Sequence, residues 1–348
     1  MIKNSSKIFA LTLLLCSCTA DRTGDYPLGE SPGNAELSVR AFSANEAGAF
    51  AVNAGAPGET GSTPLGTSVD VGFYVQTLSA GDKTYYTVQN NVRGIYNTES
   101  TTWKPVAATP IWLNNHTASL AVYAPYDATQ NNATGGVLDL KAALRTDDND
   151  LAAGRFTANN QSMKSPGISV TLKRLYARVV FTFIKYTNYT DPATIDKIEW
   201  TGNDLYKAAT YNLFADPVTD AYTISKTDGN RNLAFTFSPG LTIGTDKTVT
   251  DAARADLLLI PAKEDFTQDG TLTVTATTTS TEYGAETKVM SVPVPKSLFS
   301  GDRKPAAGKQ LNITVRLSVA DIIITNDDVV VTDWDETDAE MNVESKLD

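Results

Sequence analysis

The feature of the sequence that most constrains the fold is a series of short segments in which apolar and polar residues alternate. These segments are rich in Val, Thr, Ile and aromatic residues, and clusters of Gly, Asn, Asp and Pro separate them. A period of two is typical of half-buried antiparallel strands and predicts an all-β protein. The best helix candidates are two short segments, 138–144 and 251–255. The clearest alternating segments are 69–75, 119–123, 168–172, 177–183, 272–276 and 311–317.

Chain length and a break in the alternation predict two domains. The chain has 348 residues, and a domain typically takes roughly 150. Short strands with frequent turns are typical of β-sandwiches. The alternation is interrupted at residues 186–194, where Pro192 favours a break. We therefore predict two antiparallel β-sandwiches in series, over residues 34–187 and 188–348.

The first residues predict export. Lys3 and Lys7 precede an apolar run at residues 8–15. The run is too short for the ~20 residues of a membrane-spanning helix and is typical of a signal peptide. An ordinary cleaved signal is one interpretation.

The end of this run resembles a bacterial lipobox, Leu15-Cys16-Ser17-Cys18. We therefore predict a signal peptide over residues 1–17 and lipidation of Cys18, with Cys16 as the rival anchor. Residues 18–33 are polar and rich in Gly and Pro, which predicts a lipidated tether. Such an anchor would hold the protein on a membrane while its body stays in water.

Composition excludes several classes of function. The chain has 40 Asp+Glu against 29 Lys+Arg, for a formal net charge of -11. It offers no broad positive surface to a phosphate backbone, so we do not expect nucleic acid as a partner. One His and two Cys argue against His-rich metal sites and cysteine frameworks. We expect no metal site and no cofactor.

The sequence also lacks a recognisable catalytic motif. His116 lies in a polar turn, and a Ser-His-Asp enzyme would have to use it. The acidic run 147–150 lacks the Gly and Glu of a calcium loop, so we interpret it as a solvated loop. A carboxylate pair for glycoside hydrolysis is an open alternative of little specificity. We predict no catalytic residues and no enzyme.

Several landmarks resemble proteins of the fimbrillin family, and their order runs from Cys18 to Trp334. Each is degenerate alone, whereas the series is fairly specific. The landmarks are Thr102-Trp103-Lys104-Pro105, Pro110-Ile111-Trp112-Leu113, the segment 118–126 with Tyr123-Ala124-Pro125-Tyr126, the segment 172–181 with Ala177-Arg178, Ala307-Gly308-Lys309, and Val331-Thr332-Asp333-Trp334.

This resemblance implies two transthyretin-like β-sandwiches and a role as a structural subunit of a type V pilus. It implies export as a lipoprotein to the outer membrane of a Gram-negative bacterium, and a location at the cell surface in a fimbrium. In that family an arginine-specific protease removes the first strand, and the open groove accepts a strand from the next subunit. The implied partners are other pilus subunits, and adhesion to an unidentified ligand is a further implied role.

A candidate displaceable strand follows the tether. Ala35, Leu37, Val39 and Ala41 alternate with polar residues, so one face of a short strand is apolar. Loss of such a strand from a sandwich would expose unpaired backbone groups and apolar pockets. A strand from another subunit could fill both.

Arg40 is the candidate cleavage position, because it is the only Arg between Arg22 and Arg93. It lies inside the apparent strand, ahead of Phe42, whereas the family resemblance implies a cut in the following loop. The alternative is an exposed strand Arg in an unprocessed protein.

The tryptophans Trp103, Trp112, Trp200 and Trp334 have two interpretations. They are core residues of the sandwiches, or they form a platform on which a glycan stacks. The second interpretation goes with an alternative function, a surface glycan-binding lipoprotein of a polysaccharide-uptake system.

Two further arginines, Arg174 and Arg178, are four residues apart in an alternating segment. They would lie on the same face of a strand. We predict that they form structural salt bridges.

Overall fold

The structure is a computed structural model in which almost all regular structure is strand. The prediction of an all-β protein is confirmed. The helices of the described residues are short: α1 at Asn160–Lys164 and two 3-10 turns at Lys296–Phe299 and Gly301–Arg303. In the part of the chain that the structure describes, no helix is long and apolar enough to cross a membrane. The described residues are 34–44, 65–130, 135–164, 168–185, 191–216, 221–226, 230–243, 253–280, 284–318, 322–324 and 329–333.

The N-terminal half is built around a closed barrel. Its strand order is β12-β13-β2-β7-β6-β3-β9, and β9 closes it by pairing with β12. The strands of this part of the chain are β1 Ala35–Glu36, β2 Val39–Ala44, β3 Val71–Val75, β4 Leu78–Ala80, β5 Lys83–Tyr86, β6 Gln89–Asn97, β7 Thr102–Pro105, β8 Trp112–Leu113, β9 Ala118–Ala124, β10 Val137–Lys141, β11 Ala143–Leu144, β12 Ala152–Ala158 and β13 Ile168–Arg174. The closure differs from the expected pair of open sheets because β2 pairs on both sides, with β13 and with β7.

Most strands of the C-terminal half form two sheets around one core. One has the order β11-β19-β14-β22-β23, with β24 also paired with β22, and the other has the order β18-β15-β20-β21. Trp200 from one sheet packs edge-on against Phe181 from the other, with 5.6 Å between ring centroids. The strands are β14 Ala177–Lys185, β15 Ala193–Gly202, β16 Ala208–Asn212, β17 Tyr222–Thr223, β18 Leu233–Ile243, β19 Ala253–Leu259, β20 Gly270–Ser280, β21 Gly284–Val294, β22 Lys309–Leu317, β23 Ile322–Ile323 and β24 Val329–Asp333.

The two helix candidates, 138–144 and 251–255, are wrong. The first covers β10 from Leu138 onwards and all of β11, and the described part of the second begins β19. In β10, Leu138 and Leu140 are buried while Asp139 between them is exposed. The true period is therefore two, and the Ala and Leu content misled the interpretation because it also suits a helix.

The change of strand partners between the halves occurs at Leu175 and Tyr176, which separate β13 from β14. β13 pairs with β12 and β2 of the barrel, whereas β14 pairs with β19 and β22. The predicted boundary at 187/188 lies on the far side of β14. Neither Leu175 nor Tyr176 is Gly or Pro, so the sequence carries no turn signal at this change of partners.

A third apolar cluster, called here the junction cluster, joins the halves. β10, β16 and β17 form a small sheet, and residues of β10 and β16 pack with residues of the barrel strands β3, β9 and β12 and of β19 from the other half. The halves therefore share one continuous apolar contact. The junction cluster consists of Tyr74, Ala121, Tyr123, Leu138, Leu140, Leu151, Ala153, Leu175, Tyr176, Ala209, Leu213, Leu258 and Ile260.

Candidate functional site

The candidate displaceable strand forms β1 and β2, which are seated in the barrel. In β1, Ala35 lies opposite Leu113 of β8. The Leu37 amide donates to the Ile111 carbonyl at 2.9 Å. Val39 then lies opposite a residue of β7, and on its other side β2 runs parallel to β13. The segment is therefore a paired part of the barrel wall.

The inward face of this segment differs from the predicted one at both of its alanines. Leu37, Val39 and Phe42 are 0% exposed, whereas Ala35 and Ala41 are only half-buried. A strict period of two would have placed Ala41 inward and Phe42 outward.

A β-bulge at Arg40 explains this difference. Val39 lies opposite Ile168 and Ala41 lies opposite Ser169, so no residue of β13 lies opposite Arg40. One extra residue reverses the alternation after it, so Phe42 points inward in place of Ala41. The Arg40 side chain is exposed, but its peptide bonds lie within a paired strand.

An aromatic group in the barrel core surrounds the end of this segment. The ring of Phe42 packs edge-on against Trp103 at 5.2 Å between centroids and lies 6.4 Å from Phe73. Trp103 is in turn fixed by a hydrogen bond from its Nε1 to the Val69 carbonyl at 3.1 Å. These contacts anchor the Phe42 side chain in the barrel core.

The tryptophans divide between the two interpretations. Trp103 and Trp200 are buried, and Trp200 donates its Nε1 hydrogen to Asn203 at 2.9 Å, so the interpretation as core residues is confirmed for both. Trp112 is 36% exposed. Trp334 lies outside the described residues.

The predicted salt bridges of Arg174 and Arg178 are confirmed, but the two arginines lie in different strands, β13 and β14, and not on the same face of one strand. Arg174 pairs with Asp150, and Arg178 makes a bidentate pair with Asp256, with its closest contact at 2.5 Å. Arg145 lies between them, 3.4 Å from Asp150 and 3.7 Å from Asp256. Because Arg174 ends a barrel strand and Arg178 lies in β14, the network spans the junction.

Asp150 corrects the interpretation of the run 147–150 as a solvated loop. Asp147 and Asp148 are exposed, but Asp150 is buried. Its burial is tolerable because Arg174 supplies the opposite charge.

Buried tyrosines stiffen the same region. Tyr74 donates its hydroxyl hydrogen to the Gln130 carbonyl at 2.5 Å, and the Tyr176 hydroxyl accepts from the Lys141 amide at 3.1 Å. Burial raises the pKa of Tyr176 to about 12 and raises the pKa of Tyr74 further. Both hydroxyls are therefore neutral at physiological pH and act as hydrogen-bonding groups.

The remaining candidate residues form no reactive constellation in the part of the chain that the structure describes. His116 lies between β8 and β9, and its ring stacks on Tyr85 with 3.6 Å between centroids. Among the described residues, no group of three or more His, Cys, Asp or Glu side chains could hold a metal ion. Cys18 and the predicted segments 1–17 and 18–33 lie outside the described residues.

A model of the fimbrillin-like family matches residues 61–334. The chain belongs to the fimbrillin-like family. The resemblance inferred from the sequence landmarks is thereby confirmed. The match begins after β2, so the seat of the candidate strand in this fimbrillin-like chain is known from the structure alone.

Several solved structures are similar to this chain at low sequence identity. A candidate cell adhesion protein from Bacteroides ovatus matches with a TM-score of 0.52 and 16% identity, covering 86% of this chain and 98% of that one. One from Bacteroides uniformis has a TM-score of 0.49 and 16% identity, covering 87% and 100%. The fimbrial anchor protein Mfa2 from Porphyromonas gingivalis has 0.40 and 11%, covering 86% and 97%. No curated protein matches the fimbrillin-like chain.

Proposed function

We propose that this fimbrillin-like chain is a non-enzymatic structural subunit of a type V pilus, or fimbria, at the bacterial surface. It is exported as a lipoprotein, is anchored in the outer membrane through Cys18, and assembles head to tail by donor-strand exchange. Membership of the fimbrillin-like family supports the fimbrial or adhesin class.

The observation that carries the assembly step is the seat of β1 and β2 in the barrel. Removal of the segment would separate β7 from β13 and uncover the pockets of Leu37 and Val39, which are fully buried. A strand donated by another subunit would restore both the backbone pairing and the apolar contacts. Head-to-tail repetition of that contact gives a filament.

Arg40 supplies the processing step in this proposal. Its side chain is exposed, and it is the only Lys or Arg between Arg22 and Lys83. Hydrolysis of its carboxyl-side peptide bond by an arginine-specific protease and water would free the segment that ends at Arg40. A closed monomer would then become a unit that needs a partner.

Protease treatment of the non-lipidated mature chain tests this function. We expect a new N-terminus at Ala41, followed by high-mass polymers in size-exclusion chromatography and filaments in electron micrographs. The Arg40→Gln variant is the matched control and should keep its N-terminal segment and stay monomeric. A chain that is cut at Arg40 and stays monomeric at high concentration contradicts the assembly step.

Lipidation at Cys18 is tested separately in cells. Incorporation of labelled palmitate should disappear in Cys18→Ala and persist in the matched Cys16→Ala variant. The reverse pattern would move the anchor to Cys16.

A second candidate function, glycan binding at the surface, is favoured by one observation. Trp112 is 36% exposed, and an exposed indole can stack on a sugar ring. If this is the function, oligosaccharides should quench tryptophan fluorescence in the monomer, and Trp112→Ala should abolish the quenching. Quenching that persists in Trp112→Ala, or no quenching in the unaltered chain, argues against this function.

A further inference from the structure

The bulge at Arg40 divides the N-terminal segment into two parts with different partners. We call residues 35–39 the leading part and residues 41–44 the trailing part. The leading part pairs with β8 and β7 and meets β13 only where Val39 lies opposite Ile168. The trailing part runs along β13 from Ser169 onwards. The two parts therefore share no continuous ladder with a single neighbour.

The leading part is held by side chains more than by backbone pairing. Leu37 and Val39 are fully buried, while Ala35 and Ser38 are half-buried. The Ser38 amide donates to the sulfur of Met163 at 3.3 Å, which is a weak acceptor. A short strand with such contacts belongs to the low end of local stability.

The trailing part has stronger anchors. Phe42 packs against Trp103 and Phe73 in the barrel core, and the Phe42 carbonyl accepts from the Leu65 amide at 3.0 Å. Parallel pairing with β13 continues to the end of β2. To open the trailing part, the chain must break the ladder with β13 and expose the Phe42 ring at the same time.

We infer that the two parts open separately, and that a partner strand occupies only the groove left by the leading part. Phe42 stays in place and closes the end of that groove. The inference deepens the proposed function and rests on it for the identity of the partner, another fimbrial subunit. A cut after Arg40 falls at the division, so the retained chain would begin with the trailing part.

This division specifies the partner strand. The groove takes a short segment with two aliphatic side chains two residues apart and a polar residue between them, as in Leu37-Ser38-Val39. The segment would run antiparallel to β7 and β8, as β2 and β1 do. A third apolar residue at the position of Phe42 would find its pocket occupied.

Native-state hydrogen exchange on the mature, uncut chain tests the separate opening. With rising denaturant, the amides of residues 35–39 should exchange through an opening that leaves residues 41–44 protected at least tenfold more strongly. Val39→Ala should raise exchange in the leading part alone, and the matched Val170→Ala in β13 should raise exchange in the trailing part. Equal exchange of both parts at every denaturant concentration would overturn the inference.

Peptide binding to the chain cut at Arg40 tests the groove itself. A labelled peptide of residues 34–40 should bind, and its Leu37→Asp form should bind at least tenfold more weakly. Extension of the peptide to residue 44 should give no gain, because the trailing part is already in place; a tenfold gain would overturn the inference. Polymerisation is a separate readout: separate opening in a chain that never polymerises would keep this inference and refute the proposed function.

Discussion

β2 in the N-terminal half and β14 at the start of the C-terminal half each lie beside one parallel strand, but they are held very differently. β2 lies parallel to β13, the last strand of the barrel, and β14 lies parallel to β22. β14 pairs with β19 from Ala177 to Phe183 and with β22 from Arg178 to Lys185. β2 is interrupted by a bulge on one side and meets β7 only at Val39 on the other.

Burial does not account for this difference. Val39 in β2 is 0% exposed and Phe181 in β14 is 1% exposed. What differs is the number of backbone hydrogen bonds that must break, each worth about 1 kcal/mol net. The comparison teaches that a strand can contribute fully to a core and still be exchangeable, provided that its ladders are short.

The largest effect should come from truncating the two phenylalanines. Phe181→Ala leaves a cavity beside Trp200 and should lower the free energy of unfolding by about 3–5 kcal/mol, measured by denaturant titration. Phe42→Ala removes the same side chain but should mainly increase local exchange in the barrel, since β2 can open without the C-terminal half. The comparison breaks if both variants lower global stability equally and leave local exchange unchanged.

Removal of the buried charge at the junction should come next. Asp150→Asn leaves Arg174 without its carboxylate and should cost about 3 kcal/mol, read from the unfolding midpoint. The matched control is Glu199→Gln, which breaks an exposed pair with Lys197 and should leave the midpoint nearly unchanged. Equal effects of the two variants would show that the junction network contributes no more than a surface pair.

Alkaline pH should weaken the junction cluster. The pKa of Tyr176 is about 12 in the folded chain against about 10 unfolded. The contribution of Tyr176 to the free energy of unfolding is therefore complete below pH 10. It is lost as pH rises from 10 to 12, by roughly 1.4 kcal/mol per pH unit. Tyr176→Phe should reduce the slope of the free energy of unfolding against pH, measured by urea titrations at pH 9 to 12. An unchanged slope would mean that other groups cause the pH dependence.

The smallest effect on stability should be that of Arg40→Gln. Because the Arg40 side chain is exposed, the unfolding midpoint should not change, whereas Arg178→Gln should lower it by removing the bidentate pair with Asp256. Thermal unfolding of the two variants checks this pair. A destabilised Arg40→Gln would mean that the side chain holds the bulge.

Local features of the sequence were enough to predict the strands and part of the core. Alternation identified β9, β20 and β22 because a period of two follows from strand geometry itself. The size and burial tendency of tryptophan placed Trp103 and Trp200 in the core. The landmark series identified the family, although the matched range does not include β2.

The remaining features depend on partners that are distant in sequence. Barrel closure and the bulge at Arg40 depend on how β2 meets β13, more than a hundred residues later. The shift of the inward position from Ala41 to Phe42 follows from that bulge and cannot be read from alternation. The burial of Asp150 depends on Arg174, a partner 24 residues along the chain.

The junction cluster and its ion pairs have a mechanical consequence. Strands from both halves and a charge network cross the same boundary, so the halves must tilt together when one is pulled. In a fibre of such units, bending would concentrate at the contacts between neighbouring copies. Tension along the fibre would then load the exchanged strand before it could move the two halves of the receiving subunit relative to each other.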